Sequence, residues 1–366
     1  MNMLSKHLIW KDTGFVVQEK EIQTRKRTVV KVISCGWCGT DTHNLNESNI
    51  SNLSLGHETL AEIVHLGENH NVVGGSKLAV GDRVILIPGK SCGVCEHCTT
   101  HSAQGNLCDH RTAHGHSYFA QNEFFAAGGF SSNIELMDDV WLAKVPDSIP
   151  NEIAVLAEPL AVCIRAVDRA ISGTRPDRDL GAVVAGRAAV IGLGPIGYLT
   201  SYVLLTMGFD VVGFEQSPWR CEFAEKELGI KAITLPINDH NKINEYNLKN
   251  SSTTDFDVVF ECGGTVSAFV ASLLVVRKGG RVIEMGNYFQ HETAEIDPSW
   301  ICKKEIEVIG FKFGNPFTYL KVFNLLNRNS TEALKNMTFE IKLSDLNKIL
   351  TIDHQNLMKV VVTNDL

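Results

Sequence analysis

The chain has 366 residues and a formal net charge of −8, from 34 Lys and Arg against 42 Asp and Glu. That length suits two domains with room for a small appended lobe, and the acidic balance argues against a general nucleic-acid binder, whose phosphate contacts need clustered cations. At 44% hydrophobic and 21% charged it fits an ordinary globular protein, not a disordered, collagenous or coiled-coil chain. No uncharged apolar run approaches the roughly 18 residues of a membrane span, so neither nucleic acid nor membrane is an expected partner.

The stretch Met1 to Asp12 has no long apolar run and no small-residue cleavage site, so it does not read as a signal peptide, and a cytoplasmic location is expected. The chain carries ten cysteines. In a reducing compartment a tight cysteine cluster binds metal more often than it forms disulfides. Cys163, Cys221, Cys262 and Cys302 are scattered and read as packing residues, whereas the others are grouped.

The first 150 residues contain short β-branched runs separated by Gly-rich and polar turns, as in 28–33, 60–64 and 82–87, and predict a β-rich unit. After the Pro146 to Pro150 punctuation, 151–170 has helical spacing and predicts one helix in spite of Pro159. From about Ala188 strands and helices alternate: strands at 188–191, 209–214, 256–260, 280–285 and 306–311, helices at 198–207 and 220–228. Such alternation predicts a parallel, doubly wound sheet. The segment 238–254, rich in Asn, Lys, Ser and Thr, reads as a surface connection, and Lys359 to Val362 as a final strand.

Gly192-Leu193-Gly194-Pro195-Ile196-Gly197 fits G-x-G-x-x-G, follows an apolar strand and opens a helix. The first glycine permits the tight turn, the second lets backbone approach a pyrophosphate, and the third allows close helix–strand packing. The helix N-terminus then offers N–H groups and partial positive charge to phosphates. Glu215, at the end of the next strand, stands where an acid holds the ribose hydroxyls and repels the extra phosphate of NADP, which favours NAD. Arg220 could stack on adenine or serve a phosphate. A plain glycine-rich turn with a surface Glu is the alternative, and the strand–turn–helix–strand–acid order argues against it.

Cys92-Gly93-Val94-Cys95-Glu96-His97-Cys98 gives C-x2-C-x2-C, and Cys108 follows. Four thiolates make a closed tetrahedral zinc site, which staples a loop and leaves no position for substrate. An iron–sulfur centre also fits this spacing, as does replacement of one cysteine by His97, His101 or His110. A second group, Cys38-Gly39-Thr40-Asp41-Thr42-His43 with Gly56-His57-Glu58, supplies thiolate, imidazole and carboxylate, a mixed set suited to a catalytic zinc with an open position.

In these residues the sequence resembles the zinc-dependent medium-chain alcohol dehydrogenases, particularly their polyol (sorbitol-like) and threonine dehydrogenase branch. The matching features are C-G-T-D-x-H at 38–43, G-H-E at 56–58, the cysteine lobe, E-P-L-A-V at 158–162 and G-L-G-P-I-G at 192–197. Their order agrees over most of the chain, and only the last stretch matches weakly. Singly, Cys38 reads as a small buried hydrophobe, His57 as a core histidine, Glu158 as an exposed helix acid and His43 as an exposed strand-end histidine. The set in family order carries the meaning.

The resemblance implies an α/β protein. A GroES-like β-rich catalytic domain spans 1–155 and 298–366, with the structural zinc lobe at about 90–110, and a Rossmann NAD-binding domain spans 156–297. It implies two zincs per chain, the catalytic one held by Cys38 and His57, with Glu58 and Glu158 at the metal directly or through water. Asp41 would orient the ligating histidine, and Thr40 and His43 would relay a proton through the cofactor ribose. The expected reaction is reversible oxidation of an alcohol (polyol, sugar or secondary alcohol) to a ketone or aldehyde, with hydride passing to NAD+ and substrate bound in the cleft between domains. An amino-alcohol dehydrogenase of the threonine type is the nearest alternative, and a non-catalytic NAD-binding sensor or scaffold is one of another class. Branch members are homodimers or homotetramers, so a homo-oligomer is expected. Two features depart from the pattern. The spacer from Cys98 to Cys108 is two residues longer than the usual seven, and Trp37 is bulky for its place before Cys38. Phe119, Phe124, Phe125, Phe130 and Trp300 read as pocket lining or, more commonly for such residues, as core.

Overall fold

Runs of β-branched residues with turn punctuation build one lobe from short strands, and strand–helix alternation builds the other. The computed structural model describes residues 2–23, 26–45, 54–100, 106–115, 128–172, 186–236, 239–249, 255–286, 293 and 295–366. The chain divides into two compact units, Met1–Ala161 with Gly314–Leu366, and Val162–Phe313.

The first unit is organised on the strand Val29–Gly36, which pairs antiparallel with Glu58–His65 and with the late strand Lys359–Thr363. Arg83–Ile87 and Val140–Lys144 continue the eight-stranded sheet beyond Glu58–His65, and Thr338–Lys342 extends it on the other side. Its apolar residues divide between two cores. Val30, Val32, Ala61, Ile63, Val84, Leu86 and Leu142 form one; Cys35, Trp37, Phe130, Leu343, Leu346 and Val360 belong to the other. Register matters more than composition here. Gly36 lies opposite Glu58, and Val361 lies opposite Gly36. The chain leaving one strand at Cys38 therefore meets the chain entering its neighbour at His57, and Lys359 begins the strand on the far side.

In the second unit six parallel strands run in the order Lys231–Thr234, Asp210–Glu215, Arg187–Ile191, Phe256–Glu261, Val276–Glu284 and Glu307–Gly310. Numbered within the sheet this is 3-2-1-4-5-6, the order of dinucleotide-binding folds, and it reverses between the first and fourth strands. Helices Pro195–Thr206, Pro218–Leu228 and Val266–Val275 supply crossovers. Ala189, Ile191, Val212, Phe214, Val259 and Val282 are buried in its core.

The structure adds the strand Lys231–Thr234 and the helix Val266–Val275 to the expected elements and differs from the sequence reading elsewhere too. The single helix expected over 151–170 is two, Asn151–Ala154 and Ala157–Ile171. Pro159 falls in the first turn of the second, where its missing N–H has no intrahelical partner to lose. Within the expected connection 238–254 lies the helix His240–Lys249, whose polar residues include good helix formers. The second unit continues to Phe313, past the expected boundary at 297, because Glu307–Gly310 hydrogen-bonds to Val276–Glu284 as its sixth strand. Among the described residues no helix is long and apolar enough to cross a membrane.

The glycines of the fingerprint turn are dictated by contact. Gly192 has φ +89°, and a Cβ there would lie 2.7 Å from Gly263 backbone atoms; at Gly197 a Cβ would lie 1.8 Å from the Gly192 carbonyl oxygen. Gly197→Ala must push the helix off the strand, an overpacking expected to destabilise the protein by about 1–3 kcal/mol in urea unfolding.

Candidate metal centres and dinucleotide site

Four thiols of the cysteine lobe converge, with the Sγ atoms of Cys92, Cys95, Cys98 and Cys108 all within 4.8 Å of one another. Cys92 and Cys98 are 4.0 Å apart and Cys95 and Cys108 3.9 Å. A tetrahedron with Zn–S bonds near 2.3 Å has sulfur–sulfur edges of about 3.8 Å, so the spacing fits a metal and is far from a disulfide. Cys92 Sγ accepts the Cys95 N–H at 3.3 Å and Cys108 Sγ accepts the Cys92 N–H at 3.2 Å. Backbone N–H groups of Val94 and Cys95 bring the Cys92 thiol down to about 6, whereas burial pushes Cys98 up to about 12. His97 is paired with Asp109 at 3.9 Å and stands outside the thiol group. His101 lies outside the described residues.

The second centre stands where Val29–Gly36 and Glu58–His65 adjoin. Cys38, His57 and Glu58 place one ligand atom each within 4.8 Å of the others. Cys38 precedes the short helix Gly39–Asn44, and its N–H donates to Asp41 Oδ2 at 2.9 Å. The other carboxylate oxygen of Asp41 is 3.7 Å from His57 Nδ1. Asp41 is fully buried and His57 nearly so. Burial alone would lower the imidazole pKa, but Asp41 and Cys38 outweigh it and hold the ring well above its usual value. A pocket that retains a proton so strongly is equally suited to a metal cation. The Cys38 thiol donates to the Thr40 hydroxyl at 3.5 Å, and His43 is exposed in the last turn of the same helix.

Glu58 is held by a residue that the sequence reading did not single out. Lys359 Nζ donates to Glu58 Oε1 at 2.7 Å and to the Trp37 carbonyl at 2.9 Å, and both side chains are buried. Burial works against the Lys359 charge, yet Glu58 and Cys38 raise its pKa. Space for this pair comes from Gly36, where a Cβ would fall 2.0 Å from Glu58 Oε2. Glu158, in the first turn of Ala157–Ile171, is buried but outside the three-atom group. Burial, reinforced by Glu58 against the pull of His57, pushes its carboxyl up to about 7. Arg111 and Tyr319, both buried, also act on it or feel it.

The bulky Trp37 side chain turns into the core: it stacks on Phe130 at 5.4 Å, meets Phe15 edge-on, and bonds Thr42 Oγ1 through its Nε1. Phe130 is therefore core, and Trp300 packs against the core of the second unit. Phe119, Phe124 and Phe125 lie outside the described residues.

In the second unit Gly194 precedes the helix that opens with Pro195 and Ile196. A Cβ on Gly194 would meet only Arg220 Nη1, at 3.6 Å, so the helix N-terminus is open toward a phosphate and the guanidinium faces the turn. Glu215 is almost fully buried at the end of its strand. Its Oε2 accepts the Leu193 N–H at 2.8 Å, and its Oε1 accepts those of Gln216 and Ser217 at 2.7 and 2.9 Å. The acid expected at the ribose thus also ties the fingerprint turn to the second strand.

Residues 24–147 match the alcohol dehydrogenase GroES-like domain, and residues 195–328 match the zinc-binding dehydrogenase family. Over 359 residues, 95% of each chain, the protein is 30% identical to a sorbitol dehydrogenase of Halalkalibacterium halodurans. The chain belongs to the zinc-dependent medium-chain alcohol dehydrogenases. This dehydrogenase is also 27% identical to an L-idonate 5-dehydrogenase (NAD(P)(+)) of Escherichia coli, over 84% of its own length and 83% of that protein. An alcohol dehydrogenase structure from Thermotoga maritima superposes with a TM-score of 0.85 at 20% identity, covering 99% of this chain and 100% of that one, and so shares its fold.

Lys359 and Glu58 form a buried ion pair in the dehydrogenase's first unit. Lys359→Met leaves a buried carboxylate without its cation and is expected to cost about 3–5 kcal/mol in urea unfolding.

Proposed function

We propose that this chain is a reversible NAD-dependent polyol or sugar-alcohol dehydrogenase that converts a secondary hydroxyl to a ketone. The observation that carries the reading is the convergence of Cys38, His57 and Glu58 in front of a buried Asp41. When bound, zinc supplies a Lewis acid that acidifies an alcohol, and the nicotinamide of NAD+ accepts hydride. Cys38 and His57 hold the metal, Glu58 adds a carboxylate restrained by Lys359, and Glu158 stands behind as an acid that carries a proton near neutral pH. Asp41 keeps the His57 ring turned with Nδ1 inward, leaving Nε2 for the metal. Thr40, beside the Cys38 sulfur, receives the hydroxyl proton, and exposed His43 passes it to solvent. Cys92, Cys95, Cys98 and Cys108 hold a second, structural zinc.

Gly192, Gly194 and Gly197 cradle the pyrophosphate on the helix beginning at Pro195 and Ile196, with Glu215 at the ribose and Arg220 over the phosphates or adenine. The acid favours NAD over NADP. The relatives' substrates, sorbitol and L-idonate, support a polyhydroxylated substrate. A homo-oligomer belongs to the same reading, since Glu307–Gly310 ends the sheet with Val308 exposed. So does a reducing, cytoplasmic setting, because the described cysteines are all free thiols.

The test is a screen of NAD+ and NADP+ reduction over polyols, sugar acids, simple secondary alcohols and L-threonine. Polyols or sugar acids should give the highest kcat/KM, and a preference for L-threonine would overturn the substrate class. Cys38→Ser should lower kcat/KM by at least about a hundredfold while mass spectrometry counts one zinc where the parent holds two. Activity and zinc content unchanged in Cys38→Ser would sink the assignment.

A further inference from the structure

Asn2–Lys11 and Gly14–Gln23 pair only with each other, as an antiparallel hairpin apart from the eight-stranded sheet. Its first strand is fastened to residues 128–133. The Leu8 N–H donates to the Phe130 carbonyl at 2.9 Å and the Ser132 N–H to the Lys6 carbonyl at 2.8 Å, with His7 bridged to Ser131 between them. Ser5 Oγ donates to the Asn133 carbonyl at 2.8 Å, and Ser132 Oγ accepts the Lys6 N–H at 2.9 Å. The same segment also holds the chain that leads into His57. The Gly129 N–H donates to the Gly56 carbonyl at 2.7 Å, and the Phe130 N–H to the Leu55 carbonyl at 3.0 Å. Hairpin, residues 128–133 and the His57 loop are therefore bonded in series.

The His7 side chain lies at the first of these junctions and bonds to nothing. It is 1% exposed, and neither Nδ1 nor Nε2 has a hydrogen-bond partner. A neutral imidazole carries one donor and one acceptor, and burying both unmet costs free energy that a leucine in the same place would not. An imidazolium there would bury a charge and two unmet donors, a larger penalty. We infer that His7 is an acid-sensitive clasp: neutral, it lets the hairpin close on residues 128–133, and protonated, it parts them and loosens the loop that carries His57.

The surroundings offer the charge no counter-ion. On the neighbouring strand Gln18 stands opposite His7 and the cation Lys20 is its diagonal neighbour, while Glu19 and Glu21 fall on the other face. On its own strand Ser5 and Ile9 share its face and Lys6 does not. Residues 128–135 bring Ser131, Ser132 and Asn133, and their one acid, Glu135, pairs with Arg27 at 3.8 Å. Burial, and then the Lys20 ammonium, bring the imidazole down to about 4. A histidine whose pKa falls on folding contributes stability that is present above its ordinary value of 6.5 and is lost progressively as pH falls toward about 4. The clasp is closed at neutral pH and opens on the acid side.

Hydrogen exchange of the zinc-loaded enzyme, read by mass spectrometry at pH 7 and pH 5, tests this against His7→Leu, since intrinsic exchange cancels between proteins at one pH. In peptides covering 2–10, 54–60 and 128–133 the ratio of parent to variant exchange rates should rise at least tenfold from pH 7 to pH 5. In a peptide covering 256–261, from the other unit, it should stay constant. An unchanged ratio in the first three peptides overturns the clasp, and a rise confined to 2–10 overturns its link to the His57 loop. An equal rise at 256–261 overturns it as a local device. His7→Gln serves the same comparison if the leucine variant does not fold. In the folded parent with carbon-13-labelled histidine, the ring resonance that is lost in His7→Gln should remain that of a neutral imidazole down to pH 5; titration of that resonance at 6 or above overturns the inference.

Discussion

Asp41 organises the mixed metal centre proposed for the first unit. One of its oxygens holds the backbone N–H of Cys38, and the other faces the ring of His57, so two ligands beside the ends of neighbouring strands are oriented by one buried carboxylate. Removing a carboxylate from water costs several kcal/mol unless its neighbours compensate. Here the compensation is an N–H group, an imidazole and, in the proposed reading, a metal cation. Lys359 does the same for Glu58. The centre is a cluster of acids whose charge is balanced piece by piece, and each balancing group also sets a geometry.

The two proposed metal centres keep charge in different ways. In the cysteine lobe, donors from the backbone bring the Cys92 thiol toward ionisation, and the four ligands are all thiols. At Cys38, His57 and Glu58 the ligands are of three kinds; Asp41 steadies the first two and Lys359 the third. The first arrangement closes around its ion; the second leaves chemistry to be done.

What could be read from residue order was local. The G-x-G-x-x-G turn, the C-x2-C-x2-C spacing and the Cys38 and His57 motifs each lie within a few residues of chain, and strand–helix alternation announced the parallel sheet. What escaped depends on register. Lys359 lies 301 residues from Glu58 and reads as one more residue of an apolar strand. His7 and Ser131 become neighbours only when the hairpin docks. Glu215 is where its motif puts it, but its engagement of the Leu193 N–H follows from the packing of two strands and not from spacing. At Pro159, helical periodicity hid a break because proline is harmless in a first turn. Over 240–249, polar composition concealed a helix.

The late strand Lys359–Thr363 has a consequence for synthesis. It pairs with Val29–Gly36 and supplies the cation for Glu58, a residue translated 301 positions earlier. At about 5–20 residues per second, a ribosome takes roughly 15–60 s to cover that interval. Throughout it the nascent amino-terminal lobe has an open sheet edge and an unneutralised acid, while the nucleotide-binding half has its sixth strand once Gly310 is made, before Lys359. The domain that begins first is finished last, and chaperone dependence should fall on it.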